Sequence, residues 1–127
     1  MNVEELLAEA RCRLNRLSPA EAHAAATDGA ILIDIRADSQ RAQDGLLPEA
    51  TFIHRNVLEW RLDPASPHRD HECARLDRQL ILICDEGYQS SLAAATLTRL
   101  GLNVTDVVGG FQAWRASGLP VTPAVAS

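Results

Sequence analysis

Lysine is absent from this chain; its twelve basic residues are all arginine, set against seventeen acidic ones, for a net charge of −5. An acidic balance without a basic face excludes nucleic acid as a main partner. Aromatic residues are few, at 4%, as in many small α/β domains. No apolar run approaches the about 20 residues of a membrane span, so no membrane partner is expected. The N-terminal stretch Met1 to Leu7 is acidic and has no basic region followed by an apolar core, so it does not read as a secretory signal. The three cysteines are an odd number at irregular spacing and include no C-x-x-C pair. That excludes a disulfide framework and points to a reducing cytosol. Cys12 and Cys73 read as free thiols without a role. What is present is 127 residues with 46% hydrophobic content, enough for one domain with a real core and too little for two.

Strand-like and helix-like segments alternate. Val3, Leu6, Leu7, Ala10, Leu14 and Leu17 recur at helical spacing and predict one amphipathic helix over residues 1–17. Ser18-Pro19-Ala20-Glu21 is a capping box with proline at the first helical position, opening a helix to about Thr27. Strands are predicted at Ala30–Ile35, Thr51–Ile53, Leu80–Ile83 and Val104–Val108, and helices at Asp38–Gln43, Ser91–Leu100 and Phe111–Ala116, with a helical turn over Val57–Leu62. Pro64 to Glu72 reads as an exposed loop, and residues 122–127 as a flexible tail. This alternation predicts a parallel α/β sheet with helices on both faces, in which ligands bind at the carboxyl ends of the strands.

The stretch Leu80 to Ala95 carries the chemistry. An apolar run suited to a strand buried on both faces ends in Cys84-Asp85-Glu86-Gly87-Tyr88-Gln89-Ser90-Ser91 and then a helix. Gly87 permits a tight turn, and Ser90 or Ser91 is expected to cap the helix. A cysteine so placed faces backbone N–H groups and the positive end of a helix dipole, which favour thiolate and make Cys84 the candidate nucleophile. The neighbouring carboxylates of Asp85 and Glu86 oppose this, so the stabilisation must come from amides and dipole. Tyr88 is a candidate to line the mouth of a pocket or to stack on a partner, the alternative being ordinary packing, and Gln89 and Ser90 are candidates to donate hydrogen bonds. Arg55, after the second strand, is a candidate for the positive charge that the loop lacks; the alternative is an ordinary surface arginine. Arg61 is a weaker candidate, and His23 reads as a surface residue. His68, His71 and Cys73, with Asp70 and Glu72, fit no standard zinc spacing, so no metal site is assigned.

Ile33-Asp34-Ile35-Arg36, Gly45-Leu46-Leu47-Pro48-Glu49-Ala50, Cys84 to Ser90, and Gly109-Gly110-Phe111-Gln112-Ala113-Trp114 with Gly118-Leu119-Pro120-Val121 together resemble a rhodanese-like sulfurtransferase domain, in the family's order and spacing. The resemblance covers residues 18–121 and leaves the first helix as an extension. It implies a central parallel β-sheet flanked by helices on both faces. It also implies an active-site loop from Cys84 to Gln89 whose amides cradle the outer sulfur of a persulfide, a structural Asp34–Arg36 pair near the site, and a core role for Trp114. The implied reaction moves a sulfane sulfur from a polysulfide, persulfide or thiosulfate to a thiol or cyanide, with no cofactor. The implied partners are a small sulfur donor or persulfide-bearing protein and a thiol acceptor. Many members carry arginine where this chain has Gln89, and histidine where it has Leu46. With Asp85 and Glu86 this makes a loop that repels a dianion such as thiosulfate, by on the order of 1 kcal/mol per close contact.

Two other readings are open to the sequence. A phosphatase-like or arsenate-reducing enzyme on the same fold needs a longer loop closed by arginine. A non-catalytic module would use the loop to bind a protein partner. Oligomeric state is not set by the sequence.

Overall fold

Successive side chains of a strand point to opposite faces of its sheet, and here both faces are covered. The computed structural model describes residues 1–124. Its four strands are β1 (Ile31–Asp34), β2 (Thr51–Phe52), β3 (Leu80–Ile83) and β4 (Val104–Asp106), all parallel, in the order β2-β1-β3-β4. The two central strands pair from Ile31 opposite Leu80 to Asp34 opposite Ile83. Leu32, Ile81 and Ile83 pack with Ala22 of α2 (Pro19–Thr27) and with Phe111 and Trp114 of α6 (Gly110–Ala116). Ile33, Leu80 and Leu82 pack on the opposite face with Leu58 and Leu62 of α4 (Leu58–Leu62) and with Ala93, Ala94 and Leu97 of α5 (Gln89–Thr98). All four residues of β3 are fully buried, which is why its sequence is a continuous apolar run instead of an alternating one. Trp114 is buried, and its indole N–H donates to the Pro120 carbonyl at 3.0 Å.

The capping box expected at the start of α2 is formed. The Glu21 amide donates to Ser18 Oγ at 3.1 Å, and the Ser18 amide donates to Glu21 Oε1 at 2.9 Å. These bonds hold the Glu21 carboxyl below its ordinary range. Asp34 and Arg36 form the expected pair at the end of β1: Nε and Nη2 of Arg36 reach the two carboxylate oxygens at 3.0 and 2.8 Å. Nη2 also donates to the Gly45 carbonyl at 2.9 Å, tying β1 to the end of α3 (Asp38–Asp44).

Several expectations are corrected. The first helix, α1 (Val3–Arg11), stops at Arg11. Leu17, read as its continuation, lies in extended chain beside β4: its amide donates to Asp106 O at 3.1 Å and its carbonyl accepts from Val108 N at 2.8 Å. An open strand edge satisfies these backbone groups as well as a helix would, and apolar spacing alone cannot tell the two apart. Cys73 is not an idle thiol in a polar loop. It is buried and belongs to the same core cluster as Ile53, Leu58 and Leu62. His23 is half-buried, its ring edge-on to Trp114 with centroids 5.6 Å apart. In the stretch read as a tail, Thr122 pairs with Leu46 through backbone bonds of 2.7 and 2.8 Å. Residues 125–127 lie outside the described residues.

Candidate active site

β3 delivers Cys84 to the carboxyl edge of the sheet, between its neighbours, central β1 and edge strand β4. The chain then has to turn within a few residues to enter α5. Gly87 makes this possible with a φ of +86°, and a Cβ there would lie 2.9 Å from the Gly109 amide nitrogen. The turn folds the loop around Cys84 Sγ. Sγ accepts the Gly87 N–H at 3.2 Å and the Ser90 N–H at 3.4 Å, and it donates to Ser90 Oγ at 3.2 Å. Two backbone donors on one sulfur, at the start of a helix, form an arrangement that stabilises negative charge.

A second helix start braces the loop from below. The N–H groups of Phe111 and Gln112 in α6 donate to the carbonyls of Cys84 and Asp85 at 2.8 and 3.0 Å. This approach needs Gly110, where a Cβ would stand 2.5 Å from the Cys84 carbonyl oxygen. The buried Asp34–Arg36 pair is linked to the same helix, since the Arg36 guanidinium lies 3.8 Å from the centre of the Phe111 ring.

Cys84 is 2% exposed and opens onto a cleft of about 410 Å³ lined by Gln40, Cys84, Asp85, Glu86, Tyr88 and Gln89. Thus Asp85, Glu86, Tyr88 and Gln89 gather around the cysteine as the sequence suggested. Gly87 and Ser90 sit behind it as hydrogen-bond donors. Asp85 is held by the Gln112 side-chain amide at 2.9 Å, while Glu86 and Gln89 are exposed and Tyr88 is 57% exposed. Arg55 is not brought into the cleft. Its Nη1 pairs with Glu59 at 3.0 Å, one helical turn on, and no arginine lines the cleft among the described residues. Arg61 bonds the His68 carbonyl at 2.8 Å. Neither Ser90 nor Ser91 caps α5. Both lie inside the helix, buried, and each donates its hydroxyl to Asp106 Oδ2 at 2.7 Å.

Asp106 is therefore a site residue that the sequence reading missed, together with Arg11, Arg16, Ser91, Gln40 and Gln112. One signal was available. A carboxylate inside a buried strand must find partners, and the two adjacent serines and Arg16 of the N-terminal segment are those partners.

Comparison with known proteins bears on the family and the fold. Residues 18–117 match the family model described as Rhodanese-like domain. A thiosulfate sulfurtransferase GlpE from Pseudomonas savastanoi pv. phaseolicola is 32% identical over 103 residues, which is 80% of this chain and 88% of the relative. The thiosulfate sulfurtransferase GlpE of Pseudomonas entomophila is 35% identical, over 80% of this chain and 85% of the relative. A solved structure from Rhodopseudomonas palustris, of a protein of unknown function described as a possible tyrosine phosphatase, is similar with a TM-score of 0.86 and 32% identity. The match covers 95% of this chain and 94% of that one.

Proposed function

The chain belongs to the rhodanese-like domain family, and on that premise we propose that it is a sulfurtransferase carrying a sulfane sulfur on Cys84. The observation that carries the proposal is the pair of N–H groups, from Gly87 and Ser90, aimed at Sγ on the floor of an open cleft. The Cys84 thiolate attacks the outer sulfur of a donor. The donor's S–S bond breaks, and its electron pair leaves with the remainder of the donor. Cys84 is left as a persulfide whose terminal negative charge faces the loop amides. An acceptor thiolate, or cyanide in an assay, then attacks the terminal sulfur and the pair in the second S–S bond returns to Cys84. The reaction is covalent nucleophilic catalysis with electrostatic support from fixed dipoles. It runs on this chain's own residues.

The lining side chains bear on the donor. Asp85 and Glu86 carry the only formal charges lining the cleft among the described residues, and both are negative. This favours a persulfide, small or protein-borne, whose sulfur end carries a single charge, over the doubly charged thiosulfate that names the relatives and over an equally dianionic inorganic polysulfide. Phosphate-ester hydrolysis, the activity suggested for the Rhodopseudomonas palustris protein, would need a cation where the cleft has Gln89 and Gln40. Free thiols at Cys12, Cys73 and Cys84 fit a reducing, cytosolic setting for this chemistry.

The test is the intact mass of reduced protein after exposure to an alkyl persulfide, a monoanion, and, separately, to dianionic thiosulfate. A gain of one sulfur mapped to Cys84 from the persulfide, with little from thiosulfate, is the expected result. Equal gain from thiosulfate overturns the donor assignment. No gain from either overturns sulfur transfer and favours a binding module that uses the same loop.

A further inference from the structure

The cleft shows Cys84 from the front; the segment before the family domain reaches it from behind. Arg16 spans Asp106 with Nε on Oδ1 at 2.8 Å and Nη2 on Oδ2 at 3.1 Å, and the same Nη2 donates to the Gly87 carbonyl at 3.0 Å. Arg11, at the end of α1, donates from Nη2 to that carbonyl at 2.8 Å and from Nε to Ser91 Oγ at 3.1 Å. Two arginines thus hold the carbonyl of the residue whose N–H meets Sγ. Asp106, fully buried, receives the hydroxyl of the serine that also touches Sγ. An unbroken chain of hydrogen bonds runs from Arg16 through Asp106 and Ser90 to the cysteine. Arg16 is balanced by Asp106, whereas Arg11 makes no ion pair among the described residues.

We propose that Arg11, Arg16 and Asp106 are positioning residues for Cys84, and that the N-terminal segment supplies from the rear the positive charge that the loop lacks in front. The inference rests on the reading of Cys84 as the sulfur carrier. In the thiol state, the Ser90 hydroxyl donates its hydrogen bond to Asp106 and accepts one from the S–H. When Cys84 ionises, its proton passes to solvent, and the Ser90 hydroxyl can rotate to donate to Sγ. Asp106 then keeps Arg16 and Ser91, so the carboxylate is not left bare. Sγ gains a third donor, and the unbalanced charge of Arg11 lies behind the loop. The effect does not need an arginine in the cleft, where it would compete for the space of the donor.

The experiment is the rate of iodoacetamide alkylation of Cys84 across the neutral and alkaline pH range, read by peptide mass so that Cys12 is scored separately. It uses the full chain and its Arg11→Gln, Arg11→Lys, Arg16→Gln and Asp106→Asn variants. Arg11→Gln is expected to slow alkylation at neutral pH about fivefold, the effect of one lost charge at short range, and to move the whole profile to higher pH. Arg11→Lys is expected to recover most of the rate, because it keeps the charge. A purely structural role would lower the melting temperature without moving the profile, and identical profiles for the wild-type chain and Arg11→Gln overturn the proposal. Should Arg16→Gln or Asp106→Asn fail to fold, the Arg11 pair still decides, since Arg11 is only partly buried. Alkylation is indifferent to sulfur donors. A wild-type chain that takes up no sulfur overturns the sulfur-transfer reading, and an unmoved alkylation profile overturns the positioning reading, so the two failures are distinct.

Discussion

Cys84 and Cys73 are equally withdrawn from solvent, at 2% and 1% exposure, yet their surroundings have opposite chemistry. Around Cys84 the Gly87 and Ser90 N–H groups donate to the sulfur, and the Ser90 hydroxyl, which accepts the S–H, can turn to donate. Around Cys73 lie core side chains, the Asp70 carboxylate and the Thr51 side chain; burial first, then the Asp70 charge, outweigh the Thr51 hydrogen bond and push its thiol up to about 11. Burial therefore does not mark a reactive thiol. What distinguishes the two is whether the groups that replace water can bear a negative sulfur.

The hardest test of this contrast is removal of each sulfur. Cys84→Ser is expected to abolish sulfur transfer, with a loss of roughly a thousandfold or more, because the hydroxyl cannot form the persulfide. Cys73→Ala should leave transfer within about twofold, since Cys73 touches no reacting atom. Steady-state transfer to cyanide measures both, and substantial turnover by Cys84→Ser would sink the mechanism. Next comes selective labelling. In the folded chain at neutral pH, iodoacetamide should modify Cys84 on the order of 100-fold faster than Cys73, with exposed Cys12 as the internal reference. Comparable rates would show that donors around Sγ do not matter.

Gly110→Ala sharpens the contrast differently. Its Cβ would meet the Cys84 carbonyl at 2.5 Å and the Gly87 nitrogen at 2.7 Å, at a φ of +59°. The loop must shift, and misplacement of this size is expected to cost about tenfold to a hundredfold in transfer, while the Cys73 region stays unchanged. Full activity in this variant would mean that α6 does not brace the loop.

The smallest effect is on stability. The folded chain holds the Cys73 proton up to about pH 11, whereas an unperturbed thiol releases it near 9.0. The stabilisation from this proton is complete below about pH 9 and is lost as pH rises toward 11, by at most about 1.4 kcal/mol per pH unit. Denaturant unfolding of wild-type and Cys73→Ala chains should show the difference between them shrinking over that window. A constant difference would place the Cys73 thiol in a less hostile setting than the structure shows.

The same pair of cysteines shows how far the sequence could be read. Cys84 was legible because everything that defines it is local: an apolar strand, a glycine turn and a helix in one continuous stretch. Gln89, Glu86, Asp85 and Tyr88 fell into the cleft for the same reason. Cys73 was misread because its neighbours in the chain, Asp70, His71 and Glu72, are polar. The residues that share its core cluster, Ile53, Leu58 and Leu62, come from another segment. Ser90 and Ser91 were misread likewise. Serine at a helix start is usually a cap, but Asp106, sixteen residues beyond Ser90, competes for both hydroxyls. Arg55 was at the correct edge of the sheet, yet Glu59 lies one turn away on its own helical segment and takes its charge.

By itself, then, the sequence determined the order of strands and helices, the two buried faces of the sheet and the placing of Cys84 at its carboxyl edge. These follow from apolar periodicity, caps and glycine turns, which act over a few residues. Only the tertiary structure decided which charges reach the cysteine. Arg11 and Arg16 are more than seventy residues from Gly87 in the chain and touch its carbonyl. Asp106 is paired across β4 and α5, and Gly110 brings α6 against the loop. The partners that reach Cys84 from distant segments are set by distances in space, which no local pattern encodes.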